Sequence, residues 1–149
     1  MSAMPQTEGD GGPSVQRSFR ISADVLRLLD ARADELGVSR NALAQRVLGE
    51  GLRTDRHPLI AFREGGSGRR RPALAGHRLY VWQIIRAAQR NDRSIEKTAE
   101  HLGLSPHQVR AAVEYYADFK DEIDEEARAA EAAEQIELER WERAQNALR

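Results

Sequence analysis

The chain has no cysteine, so neither a disulfide nor a cysteine-ligated zinc site can hold it together. Aromatic residues make up only 5% of its 149 residues, so the core must be built from small aliphatic side chains. No apolar run approaches the roughly 20 residues needed to cross a bilayer, and the N-terminus lacks the apolar core of a signal peptide. These absences predict a cytoplasmic protein without a membrane partner.

The net charge is only −1, but the charges are unevenly distributed along the chain. Residues 118–149 contain 11 acidic and 5 basic residues, a net charge of −6, so the preceding 117 residues carry +5. A basic front and an acidic tail predict two different partners. Residues 1–13, which are rich in glycine, proline and polar side chains, are expected to be disordered.

The stretch VQRSFRI near the N-terminus predicts one short strand. Side chains alternate along a strand, so Phe19 and Ile21 fall on one face. The opposite face is polar and carries Gln16, Ser18 and Arg20.

Two helices are predicted behind this strand. Ser22 is a suitable N-cap for the first helix, Gly37 ends it, and Ser39 can cap the second, which should stop before a connector at residues 53–56. Each helix has apolar residues at helical spacing. They are Val25, Leu26, Leu28, Leu29, Ala33 and Leu36 in the first helix and Leu43, Val47, Leu48 and Leu52 in the second.

A single strand leaves both of its edges unpaired, and residues 14–53 are too few to bury a stable core. A homodimer solves both problems, because two copies of the strand can pair antiparallel above four helices. The polar row would then appear twice on a two-stranded ribbon. Such a ribbon fits the DNA major groove, where Gln and Arg side chains read base edges.

The segments RSFRI, SADVLRLLDARADEL and GVSRN resemble the ribbon-helix-helix repressors of the Arc and CopG type. Arg17 departs from that family, which usually has an apolar residue at this position. The resemblance implies that the second helix N-terminus clamps a phosphate, in agreement with the free N–H groups there. It implies contact with operator DNA by Gln16, Ser18, Arg20, Ser39 and Arg40.

From His57 the pattern changes to a hairpin. Residues 59–62 predict a strand, residues 64–68 a turn, and residues 69–74 the partner strand. The glycine-rich turn is not a phosphate loop, because no Gly-Lys-Ser/Thr follows it. The three arginines at 69–71 admit two interpretations, a solvated strand end or a phosphate contact.

Further along, residues 79–89 predict a helix, and residues 95–116 predict a helix, a tight turn and a second helix. Gly103 supplies the positive φ that the turn needs. Ser105 caps the following helix, and Pro106 occupies its first position, where no N–H is required. This spacing is typical of a helix-turn-helix.

The segments HPLIAFREG, GRRRPALAG and LGLSPHQVRAAVEYY, in this order, resemble a small domain of bacterial antitoxins known only as a domain of unknown function. The resemblance covers most of the span from His57 to about Ile123. It implies an antitoxin that is paired with a PIN-like ribonuclease toxin encoded beside it.

The tail, residues 118–149, is rich in Ala, Glu and Arg and has neither Gly nor Pro. It predicts one long helix, or a segment that becomes helical on binding. Its apolar stripe is thin, so the helix could pack only its first turns and be solvated beyond. Alternatively, Trp141 beside Leu138 could anchor a partner, because Trp is enriched at interface hot spots.

Two arginines flank that tryptophan. The active site of a PIN-like nuclease is a cluster of carboxylates around a divalent metal, and Arg forks match carboxylates well. Arg140 and Arg143 could therefore enter such a site. The alternative is that they pair within the helix, for example Arg143 with Glu139 at i,i+4. The predicted toxin-binding residues are Leu138, Arg140, Trp141 and Arg143.

The sequence indicates no catalytic residue, no metal site and no cofactor. The four histidines lack the spacing of paired helical ligands, and no Gly-x-Ser-x-Gly nucleophile motif occurs. The histidines are His57, His77, His101 and His107.

Together these patterns predict a mainly α fold: a dimeric ribbon-helix-helix at 14–53, a hairpin and helix-turn-helix domain at 54–117, and an acidic amphipathic tail at 118–149. The function they favour is the antitoxin of a type II toxin–antitoxin pair, a repressor that binds operator DNA and neutralises a PIN-like ribonuclease toxin. A stand-alone dimeric transcriptional regulator is the alternative, and a structural adaptor without DNA binding is a third.

Overall fold

The computed structural model describes residues 12–66 and 68–149. The chain divides into two compact units, Met1–Ala44 and Gln45–Arg149, and one helix contributes to both. In chain order the elements are α1 (Ala23–Leu36), α2 (Arg40–Arg56), β1 (Ile60–Glu64), β2 (Arg70–Leu74), α3 (Val81–Arg90), α4 (Ile95–Leu102), α5 (Pro106–Asp118) and α6 (Lys120–Ala147). The described part is therefore mainly helical, with one small antiparallel sheet, as predicted.

The ends of the first two helices are set by local side chains, and the predicted caps are confirmed. The Ser22 hydroxyl accepts a hydrogen bond from the Val25 N–H at 3.3 Å, and Gly37 ends α1 in the left-handed conformation at φ +65°. The Ser39 hydroxyl accepts from the Ala42 N–H at 3.1 Å. These are the standard ways to satisfy the orphan groups of helix ends.

The second helix is longer than predicted, because α2 continues through the expected connector to Arg56. Its last turn makes contacts within the second unit that could not be predicted from the local sequence pattern. The Arg53 guanidinium hydrogen-bonds Glu122 at 2.7 Å, and the His57 ring, just after the helix, hydrogen-bonds Asp118 at 2.8 Å. Two arginines in the last turn also suit the negative end of the helix dipole.

Residues 14–22 belong to no helix or strand in the single chain. The predicted strand needs a second copy of itself as its partner, so the ribbon and the dimer remain predictions. The predicted disorder of residues 1–13 falls outside the described residues, apart from Gly12 and Pro13.

The second unit has a continuous aliphatic core beneath the hairpin. Strands β1 and β2 pair antiparallel with Ile60 opposite Leu74 and Glu64 opposite Arg70, which confirms the predicted hairpin. Three helices, α3 to α5, pack against one another, and β1, β2 and α6 close the core. The buried core residues are Ile60, Leu74, Val81, Ile84, Ile85, Ala99, Leu104, Val109, Ala112, Tyr115 and Ile123.

The helix-turn-helix at α4 and α5 is confirmed. Gly103 adopts φ +68° at the end of α4, and Pro106 is the first residue of α5. The Ser105 hydroxyl accepts from the Gln108 N–H at 3.2 Å, while the Gln108 side chain accepts from the Ser105 N–H at 2.9 Å. This reciprocal capping box fixes the turn, and Val109 is then fully buried against the core.

Helix α6 is one long helix, as predicted, but its two halves differ. In the first half Ile123 and Ala127 are buried, and Glu131 pairs with Arg86 of α3 at 2.7 Å. From residue 132 onward every residue is exposed. About the first three turns of α6 therefore pack on the rest of the second unit, and the remaining turns are solvated. None of the described helices is long and apolar enough to cross a membrane.

Candidate functional site

The first unit leaves most of its apolar side chains in solvent. Among its described residues, 12–44, only Ala33 and Leu43 are buried, whereas Phe19 is 69% exposed and Leu28 is 72% exposed. We call this set the open apolar face. It comprises Val15, Phe19, Ile21, Val25, Leu26, Leu28, Leu36 and Val38. Eight exposed large apolar residues on so small a unit are typical of an interaction surface.

The residues predicted to read DNA lie in the unpaired segment. Gln16, Ser18 and Arg20 are all exposed there, and so are the apolar residues between them. Because this segment is not paired as a strand in the single chain, its polar and apolar side chains are both exposed to solvent.

The two residues predicted to clamp a phosphate have local partners. The Ser39 hydroxyl caps α2, and the Arg40 Nε donates to the Asp30 carboxylate at 2.5 Å. Both partners of this ion pair are about half exposed, and exposed pairs contribute little to stability. A phosphate could therefore replace Asp30 at small cost.

The residues predicted to bind a toxin lie on the solvated half of α6. Leu138 is 49% exposed and Trp141 is 59% exposed. They are three residues apart and share a side of the helix with Leu148, seven residues beyond Trp141. We call these three residues the tail stripe. Sequence reasoning passed over Ile136, which is 56% exposed and lies away from Trp141 around the helix.

The arginines beside the tail stripe are exposed. Arg140 pairs within the helix, with Glu137 at 3.3 Å, rather than reaching another element. The pair anticipated as an alternative, Glu139 with Arg143, does not form, and Glu139 instead accepts from Gln135 at 3.2 Å. Because the Arg140 pair is largely exposed on both sides, it is too weak to hold that arginine against a competing carboxylate.

A polar cluster that sequence reasoning missed joins the end of α2 to α5 and α6. Arg53 donates to the Tyr115 hydroxyl at 3.1 Å and to Glu122 at 2.7 Å, and its guanidinium lies 4.2 Å from the centre of the Phe119 ring. Burial raises the pKa of Tyr115 to about 12, although the neighbouring Arg53 opposes the shift. The partners are 62 and 69 residues away from Arg53, so no spacing pattern could reveal them.

His57 takes a structural place beside this cluster. Its buried ring packs edge-on against Tyr115 at 5.1 Å between centroids, and its Nε2 lies 2.8 Å from Asp118. The hydrogen bond from His57 and the positive charge of Arg56 hold the pKa of Asp118 below its usual value. Within the described residues, no group of three or more His, Asp or Glu side chains is placed to hold a metal.

An open groove of about 460 Å³ lies between α3, α4 and α6. Its lining is chemically mixed, with apolar Trp82 and Leu102 beside the charged side chains Arg86, Arg90 and Glu134. Arg86 is already engaged, since its Nε donates to Glu131 at 2.7 Å and its Nη1 to Gln89 at 2.9 Å. The groove therefore has no single charge that would select a class of ligand.

Comparison with known proteins does not identify a family. No family model, no curated protein and no solved structure matches the chain.

Proposed function

We propose that the chain is the antitoxin of a type II toxin–antitoxin pair. In this proposal it binds operator DNA as a homodimer through residues 15–21 and neutralises a PIN-like ribonuclease through the solvated half of α6. The observation that carries the proposal is the open apolar face beside an unpaired segment, in a chain whose second unit packs well.

The energetics of the open apolar face favour a second copy of the same unit. Burying one large aliphatic or aromatic side chain stabilises a protein by about 1.5–3 kcal/mol, and typical domains are stable by only about 5–15 kcal/mol. Eight such residues left 38–77% exposed represent a large fraction of that total. Residues 14–22 also offer free backbone groups, which an antiparallel copy of the segment would pair.

Pairing would sort the segment into two faces. Once Phe19 and Ile21 turn into a shared core, alternation directs Gln16, Ser18 and Arg20 outward on both strands. A two-stranded ribbon with these side chains has the width and the hydrogen-bonding groups to read base edges in the major groove.

The proposal of a toxin partner rests on the tail stripe. Trp141 and Leu138 are large apolar residues on a helix whose other side chains are mostly acidic or small. Both are exposed, so neither contributes to the core of the single chain. A partner with a basic RNA-binding surface would be attracted by the net charge of −6 on residues 118–149. Arg140 and Arg143 would then be delivered beside the tryptophan anchor.

The decisive test is co-expression with the neighbouring open reading frame, followed by pull-down, using the full chain and a chain that ends at Ala133. Truncation there keeps Ile123, Ala127 and Glu131, which the second unit uses. Operator binding should survive the truncation and toxin neutralisation should be lost. If the shortened chain still neutralises, inhibition resides in the second unit. If the full chain captures no nuclease, it is the alternative, a dimeric transcriptional regulator.

Trp141→Ala is the finer test, with Ile136→Ala as the matched control on the other side of the same helix. A central Trp anchor typically contributes about 2 kcal/mol or more to affinity. Toxin binding measured by calorimetry should weaken at least about 30-fold for Trp141→Ala and hardly change for Ile136→Ala. Equal losses for the two variants would remove the tail stripe from the interface.

A further inference from the structure

Most of the positive charge of this chain lies outside the unit proposed to read DNA. Residues 57–117 have 10 basic and 5 acidic residues, a net charge of +5, whereas residues 12–56 have 8 basic and 6 acidic residues, a net charge of +2. If the chain binds DNA, residues 57–117 supply the larger part of the attracting charge.

The hairpin separates the three consecutive arginines into two groups. Arg70 points to one face, where its guanidinium makes a two-pronged ion pair with Glu50 of α2 at 2.8–2.9 Å. Alternation along the strand places Arg69 and Arg71 on the opposite face. Arg63 of β1 lies directly across from Arg71 on that same face.

Arg63 is held in place by neutral groups. Its guanidinium donates to the carbonyl oxygens of His77 and Arg78, at 3.1 and 2.5 Å, and lies 4.6 Å from the centre of the Tyr80 ring. These contacts fix the guanidinium without neutralising it. They also bring the loop that carries the exposed Arg78 against the same face of the hairpin.

We call this set the basic face: Arg63, Arg69, Arg71 and Arg78. Among the described residues, none of the four has a carboxylate partner, although Arg70, Arg86 and Lys97 nearby in the chain all do. Like charges directly across a strand pair repel, so Arg63 opposite Arg71 costs free energy in the isolated chain. The acidic residue of β1, Glu64, lies opposite Arg70 in the register and so belongs to the other face.

We propose that the basic face binds the phosphate backbone of double-helical DNA, as a second and sequence-independent contact in addition to that of the ribbon. This inference rests on the proposed function and extends its DNA contact to the second unit. Guanidinium groups match phosphate oxygens geometrically, and four of them without a carboxylate partner, three on the hairpin and one on the following loop, suit a row of anions better than one small ligand. Phosphate contacts position a protein on the duplex, while base contacts select the sequence.

The test is the salt dependence of binding by the full chain, measured by fluorescence anisotropy on random-sequence duplex DNA and on the duplex upstream of its own gene. The variant is Arg71→Gln with Arg78→Gln, because the described structure gives neither side chain a hydrogen bond or ion pair that folding would miss. The matched control is Arg128→Gln with Arg149→Gln, which removes the same charge from two exposed positions, one on α6 and one just after its end. Circular dichroism melting verifies that both variants fold.

The slope of log K against log salt should fall by about 0.9 for each phosphate that is no longer bound, hence by about 2 for each bound copy of the variant chain. The change should be the same on both duplexes, and the α6 control should keep the wild-type slope. Equal slopes for the two double variants would overturn the proposal. A second result would also overturn it: the double variant keeps the wild-type salt slope on DNA, but light scattering shows that it has lost a salt-sensitive self-association. The basic face would then bind the acidic helix of another copy and not DNA.

Failure of the ribbon gives a different result. Arg20→Ala should abolish the preference for the upstream duplex. The basic face should still contribute to the salt slope on random DNA in this variant. If Arg20→Ala keeps that preference, the ribbon is not the reader. The slope comparison on random duplex still reports on the basic face in that case.

Discussion

The second unit covers its large apolar residues from β1 to the middle of α6, whereas the first unit leaves most of its own exposed. Val81, Ile84, Val109 and Ile123 have no exposed surface, whereas Phe19 remains 69% exposed. The helices of both units have apolar residues at helical spacing. The two units differ in the number of helices and strands that can cover those apolar faces. Four helices and a hairpin close a core within one chain, whereas the first unit, with one helix and part of a second, is too small to do so alone.

The largest expected effect tests this difference directly. Phe19→Asp places a carboxylate in the core that two copies of the first unit are proposed to share, where an unpaired charge would be strongly destabilising, by several kcal/mol. The variant should run as a monomer in size-exclusion chromatography with light scattering. Ser18→Asp, on the other face of the predicted strand, adds the same charge and should leave the dimer intact. A dimer that survives Phe19→Asp would contradict the shared core.

The next effect contrasts the two halves of α6. Ile123→Ala opens a cavity in the core of the second unit and should cost about 2–5 kcal/mol of unfolding free energy. Ile136→Ala, the same substitution on the same helix, removes an exposed side chain and should change stability by no more than about 0.5 kcal/mol. Denaturant unfolding of both variants measures the difference. Similar losses would mean that the distal half is buried in solution.

A smaller effect concerns the ribbon. Arg20→Ala removes the guanidinium that is proposed to read a base edge, so it should weaken operator binding by about 1–3 kcal/mol per strand of the ribbon while the dimer persists. Arg27→Ala is the control, since Arg27 is an exposed arginine of α1 that pairs with Asp24. Gel-shift titration on the upstream duplex compares the two. Unchanged affinity for Arg20→Ala would show that this face does not read DNA.

The smallest effect is the pH dependence of the link between α2 and α5. The His57 hydrogen bond lowers the pKa of Asp118 below 3.8, so the charged carboxylate stabilises the fold above that pH and the contribution is lost as pH falls through the lowered value. Wild type should have a higher Tm than Asp118→Asn at neutral pH, and this difference should disappear at acidic pH. Asp121→Asn, an exposed change on α6, should show no such convergence by differential scanning fluorimetry.

Local features of the fold could be predicted from the sequence, and distant ones could not. Ser22, Ser39, Gly103 and Ser105 act on residues within one turn, so the cap and turn residues alone locate the helix ends. The continuation of α2 to Arg56 was missed, because the contacts that hold it join residues more than 60 positions apart.

The candidate surfaces divide in the same way. The tail stripe could be predicted, because an exposed tryptophan on a polar helix is visible in the sequence. The division of the three arginines could not, because it depends on Glu50, which lies 20 residues before Arg70 and on another element. From the sequence alone, the three arginines at 69–71 could be either a solvated strand end or a phosphate contact. The hairpin register shows that Arg70 lies on the opposite face from Arg71.

The length of α6 sets how far the tail can reach. Trp141 follows the last buried residue of the helix, Ala127, by 14 positions, which is about 21 Å at 1.5 Å per residue. That distance exceeds the radius of gyration of a typical 100-residue domain, which is about 13 Å. A partner of that size can occupy the tip of the helix without displacing α3 from its contact with the base of α6.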